Sequence, residues 1–207
     1  MKVTLLLLVL KGGYTKFPCF VYLWDNRANE FHYKQKECPE KTKFNPGFHN
    51  ITGVPLVDKE RVLLLPFHIK LGLIRNFVKA LNQEGDDFKY LPLRFRCISK
   101  PKLKSGIFVF PQIRELLKDK NAASRLDPVE KQVWGGLKSV VLNFLGNNKS
   151  GDYANHIENM IQNFGELGIR KIHFQNSHLD HFRVNLGSFR EGQGEWILGI
   201  KVVEMQI

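Results

Sequence analysis

The sequence predicts an α+β protein in which a small sheet is interrupted by a mostly helical insertion. Three observations carry this expectation. Val3 to Leu10 is an unbroken run of apolar and β-branched residues halted by Gly12-Gly13, the pattern of a strand buried on both faces. Between Pro66 and Gly168, several segments repeat apolar residues at helical spacing, bounded by capping and stop residues. Ile169 to Phe174 then reads as a strand again, and the tail beyond Trp196 alternates as a strand does. Strands, then helices, then strands is the order of a sheet carrying an inserted helical block.

The elements follow in chain order. Phe17 to Trp24 is aromatic-rich and reads as a second short strand or a knuckle-like turn, and residues 25–60 read as loop around the Asn45-Pro46-Gly47 turn signal. A helix is expected from Pro66–His68 to about Gln83, with Leu71, Ile74, Phe77, Val78 and Leu81 inward and Gly85 as its stop. Residues 85–106 hold basic loops and at most a short helix, and Pro111 opens a helix through about Lys120. Asp127-Pro128-Val129-Glu130 combines an aspartate cap, a proline at the first helical position and a glutamate three residues after the cap. That helix carries Val133, Trp134, Leu137, Val140, Val141, Phe144 and Leu145, and Gly135-Gly136 weakens its middle. Ser150 or Asp152 opens the last helix, with Ile157, Met160, Ile161 and Phe164 inward. The organisation is therefore residues 1–60 as core strands and a basic loop, 61–168 as the helical insertion, and 169–207 as the return to the core with a diverged tail.

Composition narrows the class. The 207 residues are 43% hydrophobic and 25% charged, which is ordinary for a globular chain and excludes disordered, collagen-like and coiled-coil classes. Three cysteines (Cys19, Cys38, Cys97) are too few for a disulfide scaffold. No stretch of about 20 apolar residues reads as a membrane span. Residues 2–10 also resemble a signal peptide, and Asn50-Ile51-Thr52 and Asn148-Lys149-Ser150 are glycosylation sequons, so a small secreted glycoprotein is an alternative. No small-x-small cleavage site follows the run, which favours the strand, and the odd cysteine count and basic balance favour an intracellular, nuclear location.

The net charge of +11 asks for an anionic partner. Lys34, Lys36, Lys41 and Lys43 cluster in one loop. Arg94, Arg96, Lys100, Lys102 and Lys104 cluster in another, interleaved with Phe88, Tyr90 and Phe95. Basic loops with aromatics hold phosphates and stack bases, so DNA is an expected partner. Cys19, His32, Cys38 and His49 are candidate zinc ligands, although their spacing fits no strong template. His173, His178, Asp180 and His181 are the densest titratable cluster and read as a hydrogen-bonded corner or a backbone-facing site. A protein-interaction module built on the helices at 66–84 and 127–167 is the alternative from another class.

Three segments carry a resemblance. They are Leu63-Leu64-Leu65-Pro66-Phe67-His68-Ile69-Lys70-Leu71-Gly72-Leu73, Phe144-Leu145-Gly146-Asn147-Asn148-Lys149-Ser150, and Lys171 to Phe182 with Asn185-Leu186-Gly187 and Gln193-Gly194-Glu195. With Gly13-Tyr14-Thr15-Lys16 and Leu23-Trp24-Asp25-Asn26-Arg27-Ala28, the chain resembles a group of transposon-derived proteins similar to cut-and-paste transposases. The resemblance implies a partial RNase H-like sheet and carboxylates that hold two magnesium ions. Glu195, Glu191 and Asp180 are the carboxylates it offers, and Cys19 and His32 would be the remnant of a zinc knuckle. In such relatives a Gly-Asp pair precedes the residue matching Lys2, where this chain has Met1, and Tyr22 stands in place of a second knuckle cysteine. The expectation is a truncated, transposase-derived chain that retains nucleic-acid affinity without cleavage, with no resident cofactor. An uncovered sheet edge would leave it open to a protein partner or self-association.

Overall fold

The computed structural model describes residues 2–12, 15–25, 38–62, 66–146 and 149–169. The chain divides into two compact units, one of Met1–Leu64 with Arg190–Ile207 and one of Leu65–Phe189.

In the first unit the apolar run is a helix, α1 (Lys2–Leu7), and not a strand. Leucine is a strong helix former, and a short apolar run carries no periodicity that separates a buried strand from a helix. Only its end pairs with a distant segment. Leu10 bridges Ile51 antiparallel, with Lys11 N–H donating to the Asn50 carbonyl at 2.7 Å. Between helix and bridge, Val9 adopts a left-handed φ of 49°, a strained conformation for a β-branched residue. The backbone N–H and hydroxyl of Thr52 both donate to its carbonyl, at 3.0 and 2.8 Å, and hold it there.

Phe17 to Trp24 is likewise not a strand. It turns around Cys19 and makes one antiparallel bridge, Tyr22 to Glu40, flanked by Leu23 N–H to the Pro39 carbonyl and Lys41 N–H to the Val21 carbonyl. Leu8, Leu10, Cys19, Phe20, Val21, Trp24 and Ile51 form the core of this unit. A 3-10 turn (Lys59–Arg61) follows. Isolated bridges do not make a sheet. Among the described residues there is no sheet at all, so the expected α+β class with a partial RNase H-like sheet is corrected to an α-rich chain. The physical reason is that a strand needs a partner for every second backbone group, and here one bridge serves each segment. The strands expected at 169–174 and beyond 196 lie outside the described residues, apart from Ile169 itself.

The second unit is helical: α2 (Pro66–Ala80), α3 (Asp86–Arg94), α4 (Lys100–Lys104), α5 (Phe110–Lys118), α6 (Lys120–Arg125), α7 (Pro128–Asn143) and α8 (Tyr153–Glu166). α2 buries Ile69, Leu73, Ile74, Phe77 and Val78, with Leu81 buried just beyond it. Leu73 rather than Leu71 takes the inward place, because the buried stripe is set by the neighbours packed on it. Where basic loops and a short helix are expected at 85–106, two short helices form, α3 and α4.

α7 starts as its sequence predicts. Asp127 Oδ1 accepts from Glu130 N–H at 2.7 Å, and Glu130 Oε2 accepts from Asp127 N–H at 3.1 Å. α7 and α8 form the most extensive helix pair, burying Val133, Trp134, Leu137 and Val140 against Ile157, Met160, Ile161 and Phe164. Gly136 permits their approach: a Cβ there would lie 3.3 Å from Met160 Cα and 3.1 Å from Asn163 Nδ2. Gly168, at φ +73°, ends α8 as Ile169 N–H returns to the Phe164 carbonyl at 2.7 Å. Among the described residues no helix is long and apolar enough to cross a membrane.

Candidate nucleic-acid interface

Residues 88–114 contain seven basic side chains (Lys89, Arg94, Arg96, Lys100, Lys102, Lys104, Arg114) and no acidic one. Local packing decides how they are displayed. Phe95 and Ile98 are buried, which leaves Arg96 and Cys97 between them exposed. Phe95 meets Phe108 edge-on, with ring centroids 5.7 Å apart, and this pins residues 94–98 beside 107–109. In α4, Leu103 is completely buried and anchors the helix, while Lys100, Lys102 and Lys104 are exposed. Lys100 and Lys104, four residues apart, share a face. Arg96, Lys100, Lys102 and Lys104 have no ion-pair partner among the described residues.

Arg94 is different. Its guanidinium lies 3.1 Å from Glu115 Oε2 and 3.4 Å from Asp119 Oδ2, tying the end of α3 to α5. Asp119 also accepts from the Tyr90 hydroxyl at 3.0 Å and from Asn121 and Ala122 N–H. Burial alone would raise the Asp119 carboxyl. Those hydrogen bonds and the Arg94 charge outweigh it and hold the group below the usual aspartate range. Arg94 is thus internally neutralised.

Two of the three interleaved aromatics are withdrawn from the surface. Phe88 and Phe95 are buried, and Tyr90 gives its hydroxyl to Asp119 and one face to the Arg125 guanidinium, 4.9 Å from the ring centre. The two phenylalanine rings are therefore closed to a base, and Tyr90 is half-buried with one face taken.

The first basic loop changes more. Lys41 is 2% exposed and cannot reach a phosphate. Its ammonium donates to the carbonyls of Phe17 and Cys19 and to Asn50 Oδ1, at 3.1, 2.5 and 2.8 Å. Burial lowers its pKa to about 8, with the Cys19 thiol acting in the opposite sense. Lys43 is exposed, and Lys34 and Lys36 lie outside the described residues. Asn50, the first sequon asparagine, is 2% exposed, so its side chain is closed to a glycan in the folded unit.

Cys19 shows the hydrogen bonding of a knuckle turn. Its sulfur accepts from Val21 and Tyr22 N–H, each at 3.4 Å. Burial pushes the thiol up despite these donors and the nearby Lys41 charge. Cys38, another of the expected ligands, lies near enough for its charge to act on the Cys19 thiol in the same direction as burial. His49 packs edge-on to Phe17 and Phe48, at 4.8 and 4.1 Å between ring centres. Partial burial, then the Lys41 and Lys16 charges, lower its pKa. Among the described residues no group of three or more histidine, cysteine, aspartate or glutamate side chains is placed to hold a metal ion. Glu195, Glu191, Asp180, His32, His173, His178 and His181 lie outside the described residues.

Sequence reasoning missed one polar site in the helical unit. Asp87 and Glu130 are both buried, at 6% and 3% exposure, and Glu130 Oε1 accepts from Asn82 N–H at 3.3 Å. Burial, and then the neighbouring Glu130 charge, raise the Asp87 carboxyl above its ordinary range. The signal available was Asp86-Asp87 at the head of a helix, which ordinarily marks a solvated first turn.

Comparison with known families divides the chain much as the contacts do. Residues 1–57 match a domain of unknown function (DUF8703) and residues 66–146 match another domain of unknown function (DUF8704). The interval between the two matches contains the boundary of the two compact units at Leu64 and Leu65. No curated protein and no solved structure matches the chain.

Proposed function

We propose that the helical unit binds the phosphate backbone of nucleic acid through Arg96, Lys100, Lys102 and Lys104, without reading or stacking bases. The observation that carries this reading is that these four cations are exposed and unpaired among the described residues while the interleaved rings are buried or occupied. A folded surface tends to intersperse charges of both signs, and a stretch of 27 residues without an acid (88–114) departs from that. The resemblance to transposon-derived proteins points the same way, towards an ancestor that handled DNA, and the proposed role is binding without strand cleavage. A nuclear location accompanies that role.

The test is a salt titration of binding to duplex DNA of mixed sequence. Four phosphate contacts give a slope of log K against log salt of roughly −3.6. Neutralising all four residues to glutamine removes most of that slope, and scrambling the DNA sequence leaves the affinity unchanged. Absence of binding at low salt would overturn the reading, because phosphate contacts are strongest there.

A second reading, a protein-interaction module, draws on a separate observation. Leu93, Ile107 and Val109 are large apolar side chains exposed beside the same basic segment, at 68%, 47% and 58%. Substituting these three with serine leaves the DNA slope unchanged and abolishes capture only of a protein partner.

A further inference from the structure

A cavity of about 20 Å³, partly open to solvent beside Ala122 and Leu126, lies in the helical unit, walled by Phe77, Val78, Leu91 and Leu116 and bordered by Asp87 and Trp134. Asp87 belongs to the first turn of α3 and Trp134 to the second turn of α7. The two polar residues are buried, at 6% and 3% exposure. Asp87 Oδ2 and Trp134 Nε1 are each buried without a hydrogen-bond partner among the described residues. Burying an unsatisfied acceptor or donor costs roughly 1–3 kcal/mol, so two such orphans bordering one cavity are not a neutral arrangement.

Volume selects the ligand. One water needs a cavity of roughly 10–15 Å³ and two or more polar partners, and the space here is of that order. Chemistry agrees, because the site offers one donor and one acceptor of opposite kind on an otherwise apolar wall.

We propose that this cavity is a binding site for a single ordered water, which accepts the Trp134 indole N–H and donates to the Asp87 carboxylate. The water completes both hydrogen-bond requirements and links α3 to α7. Phe77 stacks on Trp134 at 5.1 Å between ring centres and fixes the indole in place. The titratable groups facing Asp87 are Glu130 and Asp127, both acidic, so they favour its protonated form. A protonated Asp87 retains an oxygen that accepts from the water.

The test uses the full chain labelled with nitrogen-15. The chain has three tryptophans, and loss of one indole signal in Trp134→Phe assigns the relevant resonance. In water-selective NOESY and ROESY experiments the Trp134 indole proton shows a cross-peak to water of opposite sign in the two, the signature of a held molecule. In Asp87→Leu, which keeps bulk and removes the acceptor, that cross-peak is lost. If this variant does not fold, oxygen-17 relaxation of the Trp134→Phe protein gives one fewer long-lived water than the parent. Cross-peaks of the same sign, no cross-peak, or an undiminished count of long-lived waters would each overturn the proposal.

Discussion

The Lys41 ammonium donates to Asn50 Oδ1 across 2.8 Å, and both side chains are buried. The same ammonium gathers the carbonyls of Phe17 and Cys19, so one cation joins three separate stretches of the small unit. Lys41→Met removes the charge but leaves three oxygens without their donor. We expect a loss of about 2–4 kcal/mol of stability, read as a lowered urea midpoint, with no change in DNA affinity. An unaltered midpoint would mean that the ammonium is not holding these segments.

The same residue gives a pH dependence with a definite sign. Lys41 titrates near 8 when folded against 10.5 ordinarily, so between these values the unfolded chain binds more protons than the folded one. Stability therefore rises with pH from about 8 upward. Cys19, whose thiol is raised above 9.0 by burial, works oppositely from there, because the folded chain then holds the extra proton. Urea midpoints measured from pH 7 to 10 rise between 8 and 9 and then level. In Cys19→Ala the rise continues beyond 9, and a fall between pH 8 and 9 in the parent protein would contradict the assignment.

Arg94 and Arg96 stand two positions apart and have different predicted roles. Arg94→Gln breaks its bridges to Glu115 and Asp119 and costs about 1 kcal/mol, since the Arg94 and Glu115 side chains are half-exposed and only Asp119 is sheltered. It leaves the salt slope of DNA binding unchanged. Arg96→Gln leaves stability within about 0.5 kcal/mol and lowers the slope by roughly 0.9. Equal slope losses in the two variants would show that Arg94 also reaches the phosphates.

Gly136 lies where α7 meets α8. Gly136→Val places a branched side chain against Met160 Cα, 3.3 Å from the new Cβ, and the helices must separate. The expected cost is about 1–3 kcal/mol in thermal or urea unfolding. Gly135→Ala, with open space around its Cβ, is neutral or stabilising, since alanine is the better helix former. Equal effects of the two substitutions would deny the close contact.

The helical unit was largely legible because helix signals are local. The Asp127-Pro128-Val129-Glu130 box and the stripe through Ile157, Met160 and Phe164 each lie within a few residues of the groups they satisfy. The basic stretch at 94–104 was legible as charge, since composition alone places it. Tertiary structure decided the remainder. The leucine run became α1 instead of a strand because a helix satisfies its hydrogen bonds internally, whereas a strand depends on a distant partner, and Ile51 supplies one bridge only. Phe95 turned inward onto Phe108, thirteen residues away, which withdrew it from any base. Lys41 became a buried staple while Lys43 stayed in solvent, because the acceptors that make burial tolerable come from Phe17, Cys19 and Asn50 and meet only in the folded chain.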